Sequence, residues 1–140
     1  MASIAVVYWS DTGNTEAMAN LVAEGIGAAG GSASVMAADS FGPADVSKYD
    51  AIAFGCPAMG DEILEEDIFE PMFPSVEGSL SGKRVGLFGS FDWGGDGQWM
   101  RDWADRCRAA GLVNDGVIAN LSPNAAESED CRNLGKLLCA

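Results

Sequence analysis

A chain of 140 residues, 48% hydrophobic and 21% charged, holds enough apolar material for one packed core, and one domain over residues 1–140 is expected. Eight Lys+Arg against 21 Asp+Glu leave a net charge of −13, which repels nucleic-acid phosphates and anionic lipid and disfavours both as partners. The absence of histidine removes Ser-His-Asp and Cys-His catalysis, imidazole metal sites and the usual neutral-pH proton shuttle.

The first residues, MASIAVVYWSD, lack a basic n-region, and no apolar run approaches the ~18–20 residues of a membrane span, so a soluble cytoplasmic chain is expected. Residues 3–8 (SIAVVY) are nearly all apolar, as in a strand buried on both faces. From 14 to 29, Ala17, Met18, Leu21, Val22, Gly25 and Ile26 recur at helical spacing, and the Gly30-Gly31 pair ends that helix. Residues 34–37 read as a second strand, 50–55 (DAIAFG) as a third and 84–90 (RVGLFGS) as a fourth. Residues 64–73 are helical in part, ending near Pro71 and Pro74. A helix over 98–110 carries Trp99, Met100, Trp103, Ala104 and Cys107 on one face, before a fifth strand over 116–121 and a last helix over 125–138. The four cysteines, Cys56, Cys107, Cys131 and Cys139, form no C-x-x-C pair, so free thiols are expected.

Strands alternating with helices predict an α/β fold: a doubly wound, five-stranded parallel sheet of order 2-1-3-4-5 with helices on both faces. A ligand then sits beyond the carboxyl ends of the strands, where the order reverses between strands 1 and 3. The site should therefore be built from residues 9–15, 56–62 and 91–97.

The first of these loops, Trp9-Ser10-Asp11-Thr12-Gly13-Asn14-Thr15, offers hydroxyls, an amide and a glycine in front of a helix N-terminus, which suits a phosphate. Ser, Thr and Asn also cap ordinary helices, so the weight lies on the complete run at the switch point. The first basic residue of the chain is Lys48, so a phosphate here is held by neutral donors. The P-loop pattern G-x-x-x-x-G-K-[ST] is absent, and Gly25-Ile26-Gly27-Ala28-Ala29-Gly30 matches G-x-G-x-x-G only at the end of a helix, where it reads as a terminator. The second loop, Cys56-Pro57-Ala58-Met59-Gly60-Asp61-Glu62, brings a polarizable sulfur, a free glycine and two acids. The third, Ser90-Phe91-Asp92-Trp93-Gly94-Gly95-Asp96-Gly97, sets an indole among glycines; it either stacks on a flat ring or docks on the following helix. Together these loops describe a planar aromatic ligand with a phosphate tail.

Tyr8-Trp9-Ser10-Asp11-Thr12-Gly13-Asn14-Thr15-Glu16, Gly55-Cys56-Pro57-Ala58-Met59-Gly60-Asp61-Glu62 and Gly86-Leu87-Phe88-Gly89-Ser90-Phe91-Asp92-Trp93-Gly94 resemble, in order and nearly end to end, the short-chain flavodoxins of anaerobic bacteria. The resemblance implies a flavodoxin-like fold and one non-covalent FMN carrying single electrons between redox enzymes. By that similarity Ser10, Asp11, Thr12, Asn14 and Thr15, around Gly13, would bind the phosphate. Met59, reached through Pro57 and Ala58, would lie on the inner flavin face and Trp93 on the outer. The Gly60–Asp61 peptide would meet flavin N5, Glu62 the N3–H, and Ser90 with Phe91, Asp92 and Gly94 the pyrimidine edge. Asp11 stands where these relatives usually carry Gly or Thr; its carboxylate is expected to face solvent while its N–H donates. Asp92 replaces a usual Gly, and the tract carries one glycine more than W-G-x-G. Partners would be reductases, oxidoreductases and hydrogenases with basic docking faces, met by a monomer.

Asp61, Glu62, Glu65, Glu66, Asp67 and Glu70 crowd beside this site, with no base between Lys48 and Lys83. One charge at ~10 Å costs roughly 0.4–1.7 kcal/mol at effective dielectrics of about 80 to 20, which lowers a one-electron potential by roughly 20–70 mV. The acids either lower the second couple in this way or form an ordinary solvated face. A phosphoacceptor receiver needs acids after strand 3 and a Lys after strand 5; Gly55-Cys56 and Asn120-Leu121 stand there instead. A C-x5-R phosphatase loop fails because Glu62 follows Cys56 at the Arg position. The alternative of another class is an FMN-binding accessory or storage module.

Gly60 carries a testable expectation. Turning its carbonyl toward N5 needs φ > 0, which a β-carbon resists by roughly 1–2 kcal/mol. Gly60→Ala should lower the first one-electron potential by tens of millivolts with a smaller change in oxidised-FMN affinity. Equal weakening of both forms in potentiometric titration would reduce Gly60 to a space-saving turn residue.

Overall fold

The computed structural model describes residues 2–10, 13–59, 64–91, 97–108, 110–114 and 116–139. Strand β1 (Ser3–Tyr8) pairs in parallel with β2 (Ser32–Ala37) on one side and β3 (Ala51–Gly55) on the other. Strand β4 (Arg84–Phe91) extends the sheet, and its outer side carries both β5 (Gly111–Leu112) and β6 (Val117–Asn120). The order is 2-1-3-4-5, as expected.

Alternation along β1 sorts the core into two layers. Ile4 and Val6 face helices α1 (Asn14–Ala28) and α5 (Ala125–Cys139), against Met18, Val22, Ile26, Leu134 and Leu138. Ala5 and Val7 face α3 (Phe69–Glu77) and α4 (Gln98–Arg106), against Phe69, Phe73, Trp99 and Trp103. Each β1 side chain at those four positions is fully buried, so the strand carries no polar face.

Several boundaries differ from the reading by period. The fifth strand is two strands. Between them the Asn114 side chain acts as a peptide: Leu87 N–H donates to Asn114 Oδ1 (3.1 Å), and Asn114 Nδ2 donates to the Leu87 carbonyl (3.2 Å). Helix α3 begins before its prolines instead of ending at them. Pro71 occupies the first turn, where an N–H has no intrahelical acceptor, and Pro74 lies inside the helix. Strand β2 starts two residues earlier than 34, and α4 ends at Arg106 rather than 110. A 3₁₀ turn (Ala38–Ser40) and the short α2 (Pro43–Val46) fill the β2–β3 crossover; Asp45 Oδ2 accepts the Gly42 N–H at 2.9 Å.

The glycine run at the end of α1 has two duties. Gly30, at φ 89°, terminates the helix as expected, with Gly31 N–H on the Ile26 carbonyl (2.9 Å) and Gly30 N–H on that of Gly27 (3.0 Å). Gly25 lies inside the helix, facing α5; a Cβ there would stand 2.0 Å from the Arg132 carbonyl oxygen. All four cysteines are free, and burial pushes the Cys107 and Cys131 thiols up to about 12.

Candidate functional site

The parallel ladder continues past the ends of β1 and β3, and this brings together the described roots of the three expected loops. Trp9 N–H donates to the Gly55 carbonyl (3.0 Å), Cys56 N–H to that of Phe88 (3.2 Å), and Ala58 N–H to that of Ser90 (3.0 Å). Trp9, Cys56 and Ala58, beyond the ends of β1 and β3, are therefore held beside the last residues of β3 and β4. Close approach requires glycine at two places in this junction: a Cβ on Gly55 would meet the Phe88 ring at 2.1 Å, and one on Gly89 the Cys56 carbonyl at 2.2 Å.

At the head of α1, Gly13 holds the N-cap position at φ 96°, which frees the backbone to turn into the helix. Its missing side-chain cap is supplied from further back. Ser10 Oγ accepts the N–H of Gly13 (3.1 Å) and of Glu16 (3.3 Å), the place an oxygen of a bound anion would take. Asn14 and Thr15 follow as the first two helical residues, whose N–H groups have no acceptor within the helix. Thr15 is buried and its Oγ1 lies 2.7 Å from Ser90 Oγ, so one buried hydroxyl pair joins the first loop to the third. In such a pair one hydroxyl donates to the other, which keeps its own proton for a third group. This donor set suits a phosphate ester.

A cleft of about 510 Å³ opens beside the turn, lined among others by Tyr8, Trp9, Ser10, Asp39 and Ile68. Tyr8 donates to Glu16 Oε2 at 2.8 Å; that bond, followed by burial and the nearby charge, raises the phenol above its ordinary value. The chain's first cation after this region is again Lys48, and it pairs with Asp45 at 2.9 Å.

Among the proposed site residues, Asp11, Thr12, Gly60, Asp61, Glu62, Asp92, Trp93 and Gly94 lie outside the described residues. The acidic row divides. Glu66 and Asp67 are exposed, Glu70 is bound to Arg106 at 2.9 Å, and Glu65 is buried at 4% exposure. Glu65 is thus no part of a solvated face. Its three hydrogen bonds to backbone N–H groups, and the part of Cys56 in anchoring the second loop, were missed from sequence because an E-E-D run gives no sign of which acid turns inward. The signal available was position: Glu65 stands four residues before Phe69, the first residue of α3.

Fold and cradle together define an α/β protein of the doubly wound class, with an anion-compatible turn at the head of α1 and a cleft beside it. Comparison with known proteins makes this particular. The family profile described as Flavodoxin matches residues 6–135. The chain is 43% identical over 133 residues to the flavodoxin of Clostridium beijerinckii, covering 94% of this chain and 95% of that protein. It is 41% identical over 135 residues to the Megasphaera elsdenii flavodoxin, covering 95% and 96%. The solution structure of two-electron reduced M. elsdenii flavodoxin superimposes with a TM-score of 0.88, covering 96% of this chain and 97% of that one. The chain belongs to the flavodoxin family, FMN-binding carriers of electrons between redox proteins. Flavodoxin is itself the type example of this strand order, with its ligand at the β1/β3 switch point.

Proposed function

We propose that this protein is a low-potential one-electron carrier in which Ser10, Asn14 and Thr15 hold the FMN phosphate and the loops after β3 and β4 enclose the ring. The observation supporting the seating is the ladder that continues beyond β1 and β3 beside the end of β4, next to a turn whose sequence, 9–15, carries no base. FMN supplies the electron chemistry when bound. This chain's residues anchor it, keep the phosphate charge uncancelled, and surround it with acids.

Among the described residues of the row, Glu66 and Asp67 are exposed, and they supply a negative rim for a basic docking face on a reductase, oxidoreductase or hydrogenase. In this reading the protein works as a cytoplasmic monomer that turns over no substrate of its own. Four free thiols favour a reducing compartment. Among the described residues no helix is long and apolar enough to cross a membrane, and no three acids or thiols come together as metal ligands.

The test is potentiometry of the purified protein with its flavin extracted alongside. One FMN per chain and two well-separated one-electron couples are expected. Stoichiometric FAD, riboflavin bound as tightly as FMN, or a single unresolved couple would overturn the reading.

The hydroxyl pair separates the two ends of the ligand. Thr15→Val should weaken FMN by about 2 kcal/mol, the scale of a hydrogen bond to a charged group, and riboflavin by less. Ser90→Ala should weaken FMN and riboflavin alike. If Thr15→Val costs both ligands equally, Thr15 serves only the bridge to Ser90.

A further inference from the structure

We propose that Glu65 is a positioning residue for the flavin-facing loop: with Cys56 it clamps the exit from β3 to the entry of α3, and that clamp tunes the first one-electron potential. The inference rests on the proposed seating of the ring by this loop.

Glu65 is the one buried carboxylate among the described residues. Its Oε1 accepts the N–H groups of Ile68 (2.8 Å) and Phe69 (2.7 Å), and its Oε2 that of Asp67 (2.7 Å). Its backbone is equally committed. The Glu65 N–H donates to Cys56 Sγ at 3.3 Å, and its carbonyl accepts the Glu70 N–H at 2.8 Å. Cys56 is held in turn by its N–H on the Phe88 carbonyl (3.2 Å) and by Trp99 Nε1–H on its own carbonyl (3.2 Å). Burial, the largest influence on Cys56, raises its thiol far above the ordinary value, so the sulfur stays a neutral acceptor.

The loop therefore leaves β3 at Cys56 and enters α3 through Glu65, and the two ends are joined sulfur to N–H. Next to these ends, Ala58 is tied to β4 and Leu64 is buried in the core. The carboxylate does more than cap α3. It turns residues 65–69 around itself and so sets where the loop's second end stands. Glu65 acts through the loop. Glutamine cannot replace it, because an amide offers one oxygen and points its NH₂ at backbone donors.

The test compares Glu65→Gln with Glu66→Gln, since both remove one negative charge and Glu66 is exposed. Removing charge alone raises the second potential and moves the first little. Glu65→Gln should instead lower the first potential while the second rises, because a loosened loop presents its backbone less well to the ring. Cys56→Ala, which changes no charge, should also lower the first. In the FMN-free protein, amide exchange over residues 57–70 should quicken about tenfold in Glu65→Gln and stay unchanged in Glu66→Gln. If Glu65→Gln moves both potentials as Glu66→Gln does, Glu65 is only a helix cap and a charge, and the inference is overturned, whatever the exchange shows. Gly60→Ala separates the levels: if it shifts the first potential and Glu65→Gln does not, only the clamp fails. If neither shifts it, the loop's seating fails and the clamp with it.

Discussion

Trp99→Ala should lower the unfolding free energy by about 3–5 kcal/mol, the range for emptying a buried aromatic site. Trp99 is 1% exposed and packs at 5.9 Å, centroid to centroid, from Phe91 at the end of β4. Its Nε1–H is also the donor to the Cys56 carbonyl, at 3.2 Å. The indole therefore fills volume and satisfies a buried acceptor at the root of the second loop. Trp99→Phe divides these roles: most of the volume stays, and the unpaired carbonyl alone costs about 1–3 kcal/mol. FMN affinity should fall in both variants, because Cys56 opens the loop that carries Met59. Urea denaturation with parallel FMN titration measures both effects. A loss below about 1 kcal/mol in the alanine variant, the size of an ordinary surface substitution, would show that the indole is not packed as described.

Two glycines two residues apart in one helix should give changes of opposite sign. Helices α1 and α5 meet backbone to backbone, and a Cβ on Gly25 would lie 2.0 Å from the Arg132 carbonyl oxygen. Gly135 answers from the other side, where a Cβ would stand 2.2 Å from the Val22 carbonyl oxygen. Neither neighbour is a flexible side chain, so the helices must part. Gly25→Ala should cost about 3 kcal/mol, toward the upper end for overpacking. Gly27 is exposed, and a Cβ there meets nothing within 4 Å. Gly27→Ala should stabilise by about 0.5–1 kcal/mol through helix propensity alone. Equal effects at the two positions would mean that α1 and α5 do not cross at Gly25.

Strands buried on both faces announce themselves, and β1, β3 and β4 were legible because their runs are nearly continuously apolar, alanine and glycine included, with no polar alternation. Their order followed from the alternation with helices, and the place of the site followed from the order. What escaped is what side chains do in place of backbone. Nothing in the run around Asn114 tells that its amide will replace a peptide and divide the edge strand. Pro71 and Pro74 looked like stops because their position relative to the first turn of α3 could not be read from spacing. Gly42-Pro43 followed by Asp45 was a readable helix start, hidden by the shortness of α2. In the site, the Ser10, Gly13 and Thr15 cradle could be read as local chemistry before a helix. The Thr15–Ser90 bridge, spanning 75 residues, and the inward turn of Glu65 depend on tertiary packing that no local pattern encodes.

The divided strand makes the two borders of the sheet unequal in their tendency to recruit another chain. On the β4 side, two short strands are interrupted at an amide-made joint, and Gly116 at φ 109° turns the backbone out of line. Such a border offers no continuous row of donors and acceptors for a seventh strand. The β2 side is different: six unbroken residues run along it, with Val35 partly exposed. At neutral pH the charge of −13 keeps copies apart. Acidification removes that protection as the carboxylates protonate, and fibrous or amorphous self-association would then begin from β2, with the broken border left inert.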